Sequence, residues 1–293
     1  MSEVNQANQI FIEDWPVLRD LFTRDWPKYC LPYHLIQNFL DWHKIDPEHV
    51  NTDIQLFCLN GDWSDGTFFA LDGNSIFFYS LNEDNERLIS LLSLLPADRE
   101  FLACSVYQRH LSVIPTIVPR FSNWEQKFTL MTFFHRLPKE KALAMEIDIP
   151  EGISVKPMSS DDHIATVDSV YPHRTENVTA QGFKRLLKFN LNLGAFDAEE
   201  NLLAWCFRYQ TGTLSALQVL HGGQMRQGLG SLIVKSMAKK LAEEGFDTLA
   251  CVTEGNIPSM KLFEKLGFEI IDKVYWVGFG NRDIEGTIGH IGN

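Results

Sequence analysis

Residues 225–231 read Met225-Arg226-Gln227-Gly228-Leu229-Gly230-Ser231, and their reading decides the fold. They follow an apolar strand expected at Thr213–Leu220 and open a helix expected at Leu229–Glu244. Two glycines at a strand-to-helix junction let backbone N–H groups point into one small volume, an anion site that suits a pyrophosphate. A second stretch, Asn256-Ile257-Pro258-Ser259 followed by Leu266-Gly267-Phe268, supplies another strand–helix unit one strand further on. Together they point to a cofactor whose phosphate end sits in a gap between two parallel strands.

Two phosphate-binding readings fail. A P-loop needs Lys-Ser/Thr after its last glycine, and no Lys follows Gly230. A dinucleotide fingerprint needs a third glycine where Ile233 stands. The remaining pattern resembles motif A of the GNAT superfamily of acyl-CoA N-acyltransferases, [Q/R]-x-x-G-x-[G/A]. Gly228 and Gly230 match; Met225 occupies the leading position. The run Asn256…Phe263…Gly267-Phe268 is similar to the next superfamily motif, an Asn followed by [YF]-x-x-x-G-[FY], with six residues between Asn256 and Phe263. The resemblance implies an α/β fold with a mixed sheet, GNAT-like in the C-terminal half. It also implies acyl-CoA as co-substrate and no metal.

Within the superfamily, Leu203-Ala204-Trp205, Gln210-Thr211-Gly212 and Arg226-Gln227-Gly228-Leu229-Gly230 look like the glycine N-acyltransferase family. That family conjugates acyl-CoA to the amine of glycine or a related small acceptor, and its N-terminal half is related in shape to its acyltransferase half. Trp26-Pro27, a strand at Ile54 and a Phe68…Tyr79 hairpin look similar as well. A family Glu proposed as base falls at Thr213, a departure that bears on glycine specificity.

Acyl transfer from a thioester to an amine requires that the coenzyme be held, the carbonyl polarised, a neutral amine delivered and the thiolate protonated. The resemblance places the pyrophosphate on the N–H groups of Arg226, Gln227, Gly228, Leu229, Gly230 and Ser231. It lays the pantetheine along the strand ending at Leu220. Arg226 either pairs with a phosphate or is a solvated loop charge. Ser231 either donates its hydroxyl or caps the helix. Asn256 is equivalent to an Asn that contacts the coenzyme, a role compatible with helix capping. Phe263 stands where many members carry the Tyr that protonates the thiolate. Ser259, one turn earlier on the same face, is the candidate acid in its place. His221 and Glu254 follow the two strands and are candidate bases, each also readable as a solvated loop residue. Cys251 lies in an apolar strand and reads as inert core.

The chain has 293 residues, 45% of them hydrophobic and 22% charged, with a net charge of −12. That length accommodates two ordinary domains. The acidic balance argues against nucleic-acid or anionic-membrane partners, and no run approaches the 18 apolar residues of a membrane span. Five scattered cysteines, with no C-x-x-C pair, suit a reducing compartment. Residues 1–14 carry acidic groups and no Arg, so neither a signal nor a transit peptide is expected. A cytoplasmic location is therefore expected, with the mitochondrion as the family's alternative. Asn177-Val178-Thr179 reads as a chance glycosylation triplet.

A polar, Pro-bearing stretch at 138–152 is the candidate linker. It separates a degenerate GNAT-like domain at 1–140 from an acyl-CoA-binding domain at 150–280. The second half alternates strands and helices. The first half loosely echoes that order with no G-x-G, so it is not expected to bind a pyrophosphate in the same way. Three functions follow: an N-acyltransferase acting on a small amine, an acyl-CoA-binding module with little catalysis, and a protein or peptide N-acetyltransferase.

Overall fold

The computed structural model describes residues 4–171, 179–220 and 228–282, with the backbone alone at Thr179. The chain forms two units. Unit 1 comprises residues up to Thr132 together with those from Lys273, and unit 2 is Phe133–Asp272.

Unit 1 runs β1 (Ala7–Ile10), α1 (Trp15–Leu21), α2 (Cys30–Ile45), α3 (Pro47–Asp53), β2 (Ile54–Leu59), β3 (Phe68–Asp72), β4 (Ser75–Tyr79), α4 (Glu86–Leu92), β5 (Glu100–Tyr107), α5 (Val113–Ile117) and most of β6 (Trp124–Leu137). Unit 2 runs α6 (Lys139–Leu143), β7 (Ser154–Lys156), α7 (Asp161–Val170), α8 (Thr179–Phe189), β8 (Asn192–Phe196), β9 (Leu202–Arg208), β10 (Thr213–Val219), α9 (Leu229–Glu243), β11 (Thr248–Thr253), α10 (Ile257–Lys265) and the start of β12 (Glu269–Asn281). Setting α3 and α6 aside, one order of elements occurs twice.

In unit 1 the strands β1, β2, β3 and β4 form an antiparallel meander, β5 joins β4 in parallel, and β12 pairs antiparallel with β5. Strand alternation sorts the side chains onto two faces. Ile76, Phe78, Ala103 and Phe279 meet α4 and α5 through Leu88, Leu91, Ile114 and Ile117. Phe77, on the opposite side of β4, meets Phe39 of α2 at 6.4 Å between centroids.

In unit 2 the order is β11-β10-β9-β8-β7. Ala204 and Cys206 of β9 pack with Leu232, Ile233, Met237 and Leu241 of α9, the stripe expected of an amphipathic helix. Phe207 faces Phe183 of α8 at 5.2 Å. Ser160 caps α7, its Oγ accepting from the His163 N–H at 3.2 Å.

Two features differ from the sequence expectation. The polar stretch after Leu137 is no free linker. Its residues 139–143 form α6, and Ala142 is buried in the α9 core. Lys235 and Lys239 of α9 donate to the carbonyls of Glu146 and Met145 at 3.0 and 3.5 Å, so a polar surface segment is held by its backbone. The unit boundary falls instead inside β6, at Phe133. The final strand leaves unit 2 at Lys273 and adds its apolar side chains, Val277 and Phe279, to the unit 1 core. A partner some 170 residues upstream leaves no local trace in sequence.

Candidate functional site

The parallel strands β10 and β11 pair at Thr213–Leu249 and Leu214–Ala250 and at no later position. Beyond Leu214, β10 also slips against β9, its register shifting between Ser215 and Gln218. Ala216 sits there at φ +51°, a left-handed conformation that costs an L-residue energy and marks a bulge. The Cys206 thiol donates to the Ser215 carbonyl at 3.5 Å. From Ser215 to Leu220 the side chains are half-buried, in contrast to Thr213 and Leu214 at the closed end. The result is a fork: two strands joined at one end, with a partly solvent-facing arm along β10.

Helix α9 starts beside this arm. Gly228 is its N-cap at φ +83°, an angle suited to glycine, and provides no side-chain cap. An ideal Cβ at Gly230 would lie 3.5 Å from Val219 Cγ2 and 3.7 Å from Leu262 Cδ2. The first turn of α9, the end of β10 and the middle of α10 therefore meet at Gly230. The N-terminal N–H groups of α9 and their positive dipole end can hold an anion at this corner.

The structure places the remaining candidates as follows. His221, Arg226 and Gln227 lie outside the described residues. Leu220 is half-buried, and its N–H is committed to the Leu203 carbonyl at 2.8 Å, so it has no spare donor for a ligand. The Leu229 side chain is core, 3% exposed, leaving its N–H as the group of interest. Ser231 is half-buried in the first turn of α9. Asn256 caps α10, its Oδ1 accepting from the Ser259 N–H at 3.2 Å. Ser259 is half-buried and lies one turn before Leu262, on the side of α10 that reaches Gly230. Glu254 is exposed in the loop after β11.

Phe263 is buried at 4% exposure. It packs edge-on against Phe268 at 4.9 Å and against His135 at 5.8 Å, within the α9 core. Its side chain is part of the packing. Thr213 is also buried, its hydroxyl 3.3 Å from that of Thr211. Cys206 is buried and burial pushes its thiol up to about 12, so it has no thiolate character. Among the described residues no group of three or more His, Cys, Asp and Glu side chains is placed to share a metal ion. Among the same residues no helix is long and apolar enough to cross a membrane.

Sequence reasoning missed two features. The bulge at Ala216 is carried by Leu214-Ser215-Ala216-Leu217, which contains no Gly, Pro, Asn or Asp to announce it. His135 of β6 is 2% exposed, its Nδ1 2.9 Å from the Phe133 carbonyl. Burial lowers its pKa, only partly offset by that carbonyl, so the ring is neutral near pH 7. A lone His in an apolar strand gives no sequence signal of its packing against Phe263.

Unit 1 contains the counterpart of the fork. Strands β4 and β5 pair in parallel at Ser75–Leu102 and Ile76–Ala103 and at no later position. Here β4 keeps an unbroken register with β3. The opening is filled by Tyr79 and Tyr107, both 0% exposed, with rings 5.7 Å apart. Tyr79 Oη donates to the Ser105 carbonyl at 3.3 Å, and Tyr107 Oη accepts from the Leu31 N–H of α2 at 3.2 Å. The N-terminus of α4 already carries a carboxylate, because Asp84 Oδ1 accepts from the Glu86 N–H at 3.1 Å. Unit 1 thus repeats the strand geometry with the gap packed and its anion position taken.

Residues 192–277 match a protein-family model described as FR47-like protein, a span from β8 into β12. No curated protein matches the chain. Several solved structures do. A Drosophila protein is 21% identical with a TM-score of 0.83, over 94% of this chain and 98% of that one. A tandem GNAT protein from the clavulanic acid biosynthesis pathway is 14% identical with a TM-score of 0.60, again over 94% and 98%. A putative acetyltransferase from Pyrococcus horikoshii is 8% identical with a TM-score of 0.56, over 96% and 92%. At these identities the likeness is one of fold, and it runs the length of both halves. The chain has the GNAT acetyltransferase fold in its C-terminal half and a second GNAT-like half before it.

Proposed function

We propose that unit 2 binds acyl-CoA and moves its acyl group to the amine of a small acceptor, glycine or another amino acid, by direct attack in a ternary complex. The observation that carries this reading is the fork between β10 and β11 with the glycine-capped start of α9 at its mouth. In this reading the N–H groups from Gly228 to Ser231 hold the pyrophosphate. The half-buried arm Ser215–Val219 takes the pantetheine alongside, and backbone N–H groups of the bulged strand polarise the thioester carbonyl. Donors of that kind are worth about 3–4 kcal/mol each in acyl transfer, and holding both reactants adds several more. The amine nitrogen bonds to the carbonyl carbon, the C–S bond breaks, and the amine's surplus proton is lost as the thiolate takes one up. Ser259, one turn before Leu262 on α10, serves as the acid in this reading, directly or through water. The base is assigned to His221 or Glu254 with the support of sequence position alone. The acceptor class rests on the narrower family resemblance, and the cytoplasm is the compartment that fits the reduced cysteines.

The test is coenzyme A release from acetyl-, butyryl- and benzoyl-CoA against an amine panel, with Gly230→Glu as the comparison. Turnover with a small amine that Gly230→Glu abolishes in a folded protein supports the assignment. Absence of both turnover and coenzyme binding refutes it.

A second reading has its own observation. Phe263 is core and Thr213 is buried at the two positions where the family resemblance implies an acid and a base, which favours an acyl-CoA-binding module with slow chemistry. Tight coenzyme binding by calorimetry without turnover on any amine selects it.

A further inference from the structure

Unit 1 carries a group of cations beside its filled fork. Arg24 Cζ, Lys28 Nζ and Arg109 Cζ lie 5.9, 5.0 and 4.8 Å from the centroid of one ring, that of Tyr29. Any two of these charges are therefore within about 11 Å of each other. Arg109 also lies 4.1 Å from the Tyr107 centroid, the ring that closes the fork. Arg24 is anchored by donation from Nη2 to the Leu81 carbonyl, just past β4, at 3.4 Å.

None of the three belongs to an ion pair among the described residues, where Arg19, Arg87, Lys127 and Arg136 each do. In a chain of net charge −12, three cations around one ring, none within ion-pair distance of a carboxylate among the described residues, concentrate positive charge locally. Cation–π contact accounts for part of the arrangement, yet one ring does nothing to relieve repulsion among three charges. Among the described residues, Arg109 Nη2 is buried with no hydrogen-bond partner. A buried guanidinium N–H without an acceptor is costly unless something supplies one. The neighbouring His110 is fully buried, and burial followed by the Arg109 charge pushes it down to about 3. It therefore adds no charge near pH 7.

We propose that Arg24, Lys28 and Arg109, arranged around Tyr29, form a second ligand site that binds the oxyanion of a small carboxylate or phosphate compound. Arg109 supplies the directional donor and the two exposed side chains close over the anion. Trp26 lies between Arg24 and Lys28 in sequence. It is 39% exposed and packs edge-on against Tyr33 and His34 at 5.5 and 5.7 Å, so an apolar ligand body has an aromatic surface beside the anion. The site is distinct from the coenzyme corner of unit 2 and takes no pantetheine, since Tyr79 and Tyr107 occupy that space.

The experiment is calorimetric titration of the full chain with inorganic phosphate and, separately, sodium benzoate, at low ionic strength and with coenzyme A at saturation. The expected result is saturable binding of at least one probe, weakened at least fivefold in Arg24→Gln/Lys28→Gln and lost in Arg109→Gln. Coenzyme affinity should stay unchanged in all variants. Preference for phosphate or for benzoate identifies the source of the oxyanion. The exposed double variant decides the matter if Arg109→Gln fails to fold. Binding of neither probe, or probe binding that the double variant leaves within twofold of the unaltered protein, overturns the proposal. So does displacement of the probe by coenzyme A. Failure of the coenzyme site itself appears separately, as absent coenzyme binding with probe binding intact.

Discussion

Gly228 and Gly230 stand two residues apart, and alanine should affect them with opposite sign. Gly228 has φ +83° and, among the described residues, nothing within 4 Å of an added Cβ, so the cost of alanine against those residues is conformational. Forcing an L-residue into the left-handed region costs about 1–2 kcal/mol. Gly230 lies inside the first turn of α9 with no positive φ. Its added Cβ would touch Val219 Cγ2 at 3.5 Å and Leu262 Cδ2 at 3.7 Å, ordinary van der Waals distances. There alanine lowers the backbone entropy of the unfolded chain and gains about 0.5–1 kcal/mol. The two variants should therefore differ by about 2 kcal/mol. For a unit of this size that is a separation of roughly 4–8 °C in Tm, with Gly228→Ala below the unaltered protein and Gly230→Ala above it. Thermal unfolding followed by circular dichroism reads both. Equal shifts of the same sign would show that the left-handed cap and the helical interior are wrongly placed, and with them the corner on which the coenzyme site is built.

Four other outcomes are expected. Asp247 is buried and accepts from Arg136 Nε at 2.7 Å and from the Lys139 N–H at 2.9 Å; Asp247→Ala should destabilise unit 2 by about 3 kcal/mol in urea titration, and a loss below 1 kcal/mol would count against the pair as a clamp. His110 has its folded pKa pushed far below the unfolded value of about 6.5, so the unfolded chain binds the extra proton and stability falls as pH drops below about 6.5. Between pH 7.5 and 5.5 that loss is about 1.4 kcal/mol, and His110→Asn should show a correspondingly smaller fall; identical slopes would refute it. Asn256→Ala should cost about 1 kcal/mol through the lost α10 cap, and a change in coenzyme affinity beyond that would reveal direct contact. Coenzyme A should bind once per chain, and a second calorimetric equivalent would contradict the packed state of the unit 1 fork.

Much of the fold was legible because its signals are local. The stripe Leu229, Leu232, Ile233, Met237 and Leu241 gives α9 within a residue, and a strand begins at Ile54 as expected. Asp72-Gly73-Asn74 announces the β3–β4 hairpin, where Gly73 has φ +60°. Asn256 and Pro258 mark the start of α10. What escaped is non-local or chemically silent. Strand β1 alternates poorly, with Asn8 and Gln9 both exposed, and is defined by its pairing with β2. Helix α6 is polar in sequence and is defined by Ala142 packing into the α9 core, while Lys235 and Lys239 hold the segment after it. The resemblance located the glycines, but it gave no warning that Phe263 is core or that Leu220 has spent its N–H on Leu203.

The two forks explain why one chain can keep two copies of a fold and one proposed coenzyme corner. Both begin with two parallel residue pairs and then separate. In unit 2 the bulge at Ala216 turns β10 from its partner, Gly230 leaves the corner clear of a side chain, and Gly228 brings the helix N-terminus to it without a carboxylate. In unit 1, β4 keeps its register with β3, Tyr79 donates across the gap to the Ser105 carbonyl while Tyr107 accepts from Leu31 of α2, and Asp84 accepts from the first N–H of α4. Each closure has a distinct cause, so trimming one tyrosine would leave a buried polar cavity and not a coenzyme site. Opening the gap would require removal of both rings, and phosphate binding would still need loss of the Asp84 charge. The same closure leaves Arg109 stacked on Tyr107 with a buried donor to spare. The Tyr107 ring that fills the gap thus also places one of the three cations of the proposed anion site.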